Sequence, residues 1–199
     1  MFDAIRHVVY INLDERADRR THIEGQLMRA FQPERIQRFS AIKAAKGAVG
    51  CSQSHIAVLE LAKASGWPNV LVVEDDFTWN NFNKSAPGLE ALLAKPFDVI
   101  VLCGTFVACD PTNNRLKSCN TTTAYVVNQE YYDTLIANYK EGLALLETTG
   151  DYSKYALDQY WKGLQSVDQW FIVRPTMGYQ LPGYSNIESK PVNYMRFFK

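Results

Sequence analysis

Three consecutive carboxylates, Glu74-Asp75-Asp76, follow directly on the apolar run Val70-Leu71-Val72-Val73. Carboxylates crowded together repel one another, and a cation is the natural compensation. Mg²⁺ and Mn²⁺ favour carboxylate oxygen and keep open positions for substrate phosphates. At the end of a strand such an ion would neutralise charge on a departing diphosphate. The competing account is a solvated acidic turn.

Two further segments carry groups that suit a nucleotide. Asn12-Leu13-Asp14-Glu15-Arg16 closes the first apolar run, and Arg19 and Arg20 follow one turn into the next helix. Asn12 and Asp14 can meet a base or ribose, and the arginines can grip a diphosphate through their planar forks. A salt-bridged helix start, with Asp18 and Glu24 as partners, is the plainer account. Gly47-Ala48-Val49-Gly50-Cys51-Ser52-Gln53-Ser54-His55 reads as a glycine-containing loop entering a helix capped by Ser52. Backbone N–H groups at such an entry can hold an anion, with Ser54 and His55 lining the site. Cys51 beside His55 suggests a thiol nucleophile, but no third orienting residue accompanies the pair. The order Glu-Asp-Asp-Phe-Thr superficially resembles the DxDx[T/V] pattern of haloacid-dehalogenase phosphohydrolases. That chemistry needs aspartate at the first position, where Glu74 stands. Neither GxGxxG nor a P-loop is present.

The elements that must position these groups alternate in type. Residues 8–13, 70–73, 99–102, 122–127 and 170–173 read as buried strands. Helical spacing covers residues 17–31, a stretch through Ile56, Leu59 and Ala62, one capped by Asn128, and residues 155–164. Strands alternating with helices predict an α/β fold with a mostly parallel central sheet flanked by helices. The stretch from Met177, rich in Tyr, Pro, Gly, Ser and Asn, reads as an ordered loop or lid.

Composition sets the outer bounds. The 199 residues suit one domain, with residues 1–127 binding a donor and 128–199 forming an acceptor side and C-terminal lid. Twenty-one basic and 21 acidic residues cancel, which argues against nonspecific nucleic-acid binding. The first apolar run is too short for a signal peptide or a transmembrane segment, so a cytoplasmic protein, free or peripheral at a membrane, is expected. Four cysteines without paired CxxC spacing point to reduced thiols.

Together these segments resemble glycosyltransferase family 25, the group containing lipooligosaccharide galactosyltransferases and collagen galactosyltransferase domains. The resemblance rests on Val9-Tyr10-Ile11-Asn12-Leu13-Asp14 with Arg19-Arg20, on the segment from Gly47 to His55, and on Leu71-Val72-Val73-Glu74-Asp75-Asp76. Thr123-Ala124-Tyr125-Val126-Val127 and Tyr184-Ser185-Asn186-Ile187 extend it over nearly the whole chain. It implies a GT-A-like nucleotide-binding fold and inverting transfer of galactose or glucose from a UDP-sugar. The acceptor would be a hydroxyl of a glycan, lipooligosaccharide or protein. By the same analogy Asp76 leads the metal ligands, and Glu74 or Asp75 helps place metal or ribose. Two departures stand out. Asn186 replaces the usual Asp of a Ser-Asp-Ile segment, and the three histidines, His7, His22 and His55, all lie early in the chain. A late metal ligand must then be of the kind of Gln180 or Asn186. A catalytically silent sugar-nucleotide or glycan-binding module is the alternative.

Inverting transfer needs a base for the acceptor hydroxyl, and a carboxylate is the usual choice. Asp158, in Tyr155-Ala156-Leu157-Asp158-Gln159-Tyr160-Trp161, is the candidate and Asp151 the reserve. Tyr160 and Trp161 can stack on a sugar, although aromatics at this spacing more often pack in a core.

Overall fold

The computed structural model describes residues 2–198. In chain order the elements are β1 (Val8–Asn12), α1 (Ala17–Leu27), β2 (Ile36–Ser40), α2 (Gly47–Ala64), β3 (Asn69–Glu74), β4 (Phe77–Trp79) and α3 (Phe82–Leu93). They continue with β5 (Val99–Cys109), β6 (Leu116–Asn128), α4 (Tyr132–Thr149), α5 (Tyr152–Tyr155), α6 (Leu157–Tyr160) and α7 (Lys162–Gln165). Four short strands close the chain: β7 (Trp170–Ile172), β8 (Gly178–Gln180), β9 (Gly183–Ser185) and β10 (Lys190–Val192).

Six strands form the central sheet in the order β2-β1-β3-β6-β5-β7. β6 is antiparallel to both β3 and β5, and the other strands share one direction, which gives the expected mostly parallel sheet. Side chains alternate across it as the pleat requires. Tyr10, Leu71, Val73, Ile100 and Val126 face one core with Ile23 and Leu27 of α1 and Leu89 of α3. Val9, Val70, Val72, Val101 and Val127 face the other with Leu59 of α2 and Leu135 of α4. Helices on both faces make this an α/β fold with a doubly covered sheet.

Packing outweighs local signals here. The start of α1 has no side-chain cap, a loss of about 1 kcal/mol. Burial of Ile23 and Leu27 contributes about 1.5–3 kcal/mol each and wins. The helix stops at Leu27 rather than 31, and Ala30 and Phe31 reach the core from the turn beyond.

Several boundaries differ from the sequence reading. α2 begins at Gly47, so the segment expected as a loop is its first turns. Ser52 lies inside that helix, donating from Oγ to the Ala48 carbonyl at 3.0 Å instead of capping it. Asn128 does cap, accepting the Glu130 N–H at 3.1 Å in a 3₁₀ turn that leads into α4. The single helix expected over 155–164 is broken into α5, α6 and α7. The stretch from Met177 contains strands: β8 pairs with β4, and β9 pairs with β10. All four cysteines are free thiols. Among the described residues no helix is long and apolar enough to cross a membrane.

Candidate functional site

β1 and β3 are parallel neighbours with Ile11 opposite Glu74, so their carboxyl ends open at the same edge. That edge is where ligands bind in open α/β sheets. Asn12 ends β1 and is buried. Its Nδ2 donates to Asp75 Oδ2 at 2.8 Å and to the Arg16 carbonyl at 3.1 Å, while its Oδ1 accepts from Arg38 Nε at 3.1 Å. Asn12 is thereby committed to joining the two strand ends. Asp14 is exposed, pairs with Arg38 and accepts from Ser40 Oγ at 2.8 Å.

The three carboxylates have three different environments. Asp75 is satisfied on both oxygens, by Asn12 and by Arg19 Nη1 at 3.0 Å. Asp76 accepts from the same Arg19 nitrogen at 3.2 Å through Oδ2, but its Oδ1 is buried with no partner. Burial, followed by the charge of Glu74, lifts the Asp76 carboxyl to about 8. Burial also raises Asp75, against the pull of Asn12 and Arg19. Glu74 behaves oppositely. Burial pushes it up, but the His55 imidazole and hydrogen bonds from Thr122 and Gln180 outweigh that and hold it below the ordinary carboxylate value. Thr122 Oγ1 donates to Glu74 Oε1 at 2.7 Å and Gln180 Nε2 to Oε2 at 3.1 Å.

An unpartnered, buried carboxylate oxygen fits a divalent cation. Asp76 Oδ1 therefore suits the expected metal. Glu74 would have to exchange its Gln180 hydrogen bond to join as a second ligand.

A cavity of about 710 Å³ opens over this edge. Leu13, Arg16, Arg19, Ser54, His55, Glu74, Asp75, Asp76, Asp158, Gln180, Ser185 and Asn186 line it. The fold thus gathers residues from both ends of the chain. Arg16 and Arg19 hold the C-terminal segment over it: Arg16 Nη1 donates to Asn186 Oδ1 at 3.0 Å, and Arg19 Nη2 to the Tyr184 carbonyl at 3.0 Å. Asn12, Asp14, Arg20 and Tyr184 are not in the cavity wall. Arg20 pairs with Glu24 at 3.0 Å on an exposed face of α1, and the Tyr184 side chain is exposed.

Asp158 enters from α6 on the far wall. Its Oδ2 accepts the Thr121 N–H at 2.9 Å, and its Oδ1 accepts from Gln159 at 3.1 Å. Burial raises its carboxyl above the usual value. Thr121 adopts φ +73°, unusual for a β-branched residue, in a stretch where the β5–β6 register is irregular. Asp151 caps α5 through the Ser153 N–H and lies outside the cavity wall. Trp161 is core, packed edge-on to Tyr125 and Trp170, and Tyr160 covers Gly142. Cys51 also lines the cavity, but burial and the nearby charges of Glu74, Asp158 and Asp76 push its thiol well up, away from nucleophilic use.

Thr121, Thr122, Phe106 and Phe197 belong to the wall without having been singled out in the sequence. Thr122 read there only as the first residue of the strand 122–127, and Thr121 fell outside it. Phe106 carried no signal: it is 65% exposed, at φ +51°, with its ring 5.0 Å from that of Phe197.

No protein-family model matches the chain, and no curated protein matches its sequence. Solved structures match its fold. A glycosyltransferase involved in the glycosylation of the major capsid of PBCV-1 superposes with a TM-score of 0.54 at 8% identity, over 83% of this chain and 80% of that one. Mannose-1-phosphate geranyltransferase from Thermus thermophilus gives a TM-score of 0.52 at 10% identity, over 85% and 73%. At these identities the likeness is one of fold.

Proposed function

We propose that the chain is a metal-dependent, inverting glycosyltransferase of the family 25 type. It moves galactose or glucose from a UDP-sugar to a hydroxyl of a glycan, lipid-linked or protein acceptor. The observation that carries this reading is the buried, partnerless Asp76 Oδ1 at the carboxyl edge of β3, on a residue that lines a cavity also bordered by two arginines and a second buried carboxylate.

Asp76 would lead the ligands for Mn²⁺ or Mg²⁺, with Glu74 as the second. The ion's contribution is charge neutralisation on the departing diphosphate. Arg16 and Arg19 release Asn186 and the Tyr184 carbonyl and turn their donors to the diphosphate oxygens, which the C-terminal segment then covers. Leu13 and Ser54 shape the donor wall. Asn12 and Asp75 act by positioning, since their hydrogen bonds fix the strand ends and Arg19. Asp158 takes the proton of the acceptor hydroxyl as that oxygen attacks the anomeric carbon. Burial raises its proton affinity above that of an ordinary aspartate, in the direction that suits a general base.

A catalytically silent module that binds the sugar nucleotide or a glycan is the second reading. It is favoured by Asn186, which offers an amide already engaged by Arg16 where the family carries a carboxylate.

Calorimetric titration with UDP, UDP-galactose and UDP-glucose, each with and without Mn²⁺, tests the proposal. Binding that requires Mn²⁺ supports a donor site, and the preferred sugar narrows the reaction. Absence of binding under every condition would return the carboxylates to an acidic turn. Donor binding without transfer to any acceptor or water would favour the silent module.

A further inference from the structure

Beside the carboxylate edge lies a second group of ligand-type side chains. Cys51 and His55 stand four residues apart in α2, on one face of the helix. The Cys51 sulfur, a His55 ring nitrogen and a Glu74 oxygen all lie within 4.8 Å of one another. All three residues border the cavity.

Three details of this group go beyond proximity. First, His55 is fully buried, and its Nε2 makes no hydrogen bond of good geometry although Glu74 Oε1 stands near enough for an electrostatic pull. Second, Nδ1 sits 2.8 Å from the Tyr125 hydroxyl, which fixes the ring with Nε2 aimed at Glu74. An outer partner on the distal nitrogen is the usual arrangement for a metal-bound histidine. Third, Nε2 and Glu74 Oε1 are 3.4 Å apart. A charge-assisted hydrogen bond would draw them to about 2.7–2.9 Å. Tetrahedral zinc, with nitrogen and oxygen ligands at about 2.0–2.2 Å, spaces those two atoms at about 3.4 Å. Thr122, on the same Glu74 oxygen, holds the carboxylate in place.

We propose that Cys51, His55 and Glu74 Oε1 form a second cation site that takes a thiolate- and imidazole-preferring ion of the zinc class, distinct from the Asp76 position, for which Glu74 offers its other oxygen, Oε2. One sulfur, one nitrogen and one oxygen suit Zn²⁺ rather than Mg²⁺ or Mn²⁺, and binding would release the proton that the Cys51 thiol holds in the metal-free protein. Three protein ligands beside a cavity leave the fourth position to water or a ligand. The site does not depend on the transferase reading and would survive its failure.

Co²⁺ titration of the reduced, metal-free protein, followed by absorption, tests this. The expected result is one equivalent of Co²⁺ giving a near-ultraviolet thiolate-to-cobalt band that Zn²⁺ abolishes by displacement. Cys51→Ala should lose the band, and Asp76→Ala should keep it. Alkylation of Cys51 in the wild-type protein should slow at least tenfold when Zn²⁺ is present. A band retained in Cys51→Ala would overturn the assignment. So would a folded wild-type protein that shows neither band nor protection.

Discussion

Arg19 Nη1 lies 3.2 Å from Asp76 Oδ2, yet the other Asp76 oxygen stays buried and unpartnered. One guanidinium thus serves Asp75 and Asp76 together and leaves one Asp76 oxygen without a partner. An acidic turn in solvent would keep both oxygens wet. Asp76 Oδ1 is instead shut away from solvent without a hydrogen-bond partner.

Asp76→Ala should leave the fold intact, because Arg19 keeps Asp75 and the Tyr184 carbonyl as acceptors. Its cost should fall on cation-dependent binding. UDP affinity in Mn²⁺ is expected to drop at least tenfold, while the low affinity without metal stays unchanged. Calorimetry on both proteins checks this. Equal UDP affinity in Mn²⁺ would remove Asp76 as a ligand.

Asp158→Asn should retain donor affinity and lose transfer by about 10²–10⁴-fold, the usual contribution of a positioned base. The wild-type rate should rise with pH through a value above that of an ordinary aspartate, because burial raises the Asp158 carboxyl. Stability carries the opposite sign. The folded state holds this proton more tightly than the unfolded chain, so its contribution is greatest below the unfolded aspartate value of about 3.9 and declines as pH rises towards the folded value. Urea midpoints across that window should fall for wild type relative to Asp158→Asn. A flat difference would mean that Asp158 is not perturbed.

Periodicity exposed the sheet because each central strand is buried on both faces and reads as an unbroken apolar run, as Val70-Leu71-Val72-Val73 does. β2 lacks that signal: it is an edge strand with Gln37 and Arg38 among half-exposed residues, so its pattern is mixed. α3 was equally hidden. It starts after a left-handed Asn81 and carries Pro87 within its length, both of which read as breaks. The carboxylate edge was legible because its residues are consecutive. Thr122, Gln180 and Phe106 come together only through strand pairing and the return of the C-terminal segment, which no local spacing records. Asn12 shows a further limit, since residue type suggested a ligand contact whereas burial assigns it to joining β1 to β3.

Gly50→Ala should destabilise the protein by about 1–3 kcal/mol, the usual cost of overpacking. A Cβ there would sit 2.3 Å from the Ile42 carbonyl oxygen, a backbone atom that cannot swing aside. The glycines of this segment serve close approach of α2 to neighbouring backbone: at Gly47 a Cβ would lie 2.7 Å from Ile187 Cα. Urea denaturation of Gly50→Ala beside Gly25→Ala, where a Cβ meets nothing within 4 Å, isolates the effect. Equal midpoints for the two would show that the helix shifts freely.

Arg19→Gln addresses how the diphosphate is gripped. Arg19 reaches Asp75, Asp76 and the Tyr184 carbonyl from one side chain, so it couples the carboxylate edge to the segment that covers the cavity. A glutamine can donate to one of these acceptors but carries no charge, so it loses both the attraction for phosphate and the neutralisation of the two aspartates. UDP should then weaken by about tenfold or more in Mn²⁺, with a much smaller loss for UMP, which has one phosphate fewer to contact. The ratio of UDP to UMP affinity is the diagnostic quantity. A uniform loss for both would assign Arg19 to holding the site together, and an unchanged ratio with unchanged affinities would place the diphosphate elsewhere.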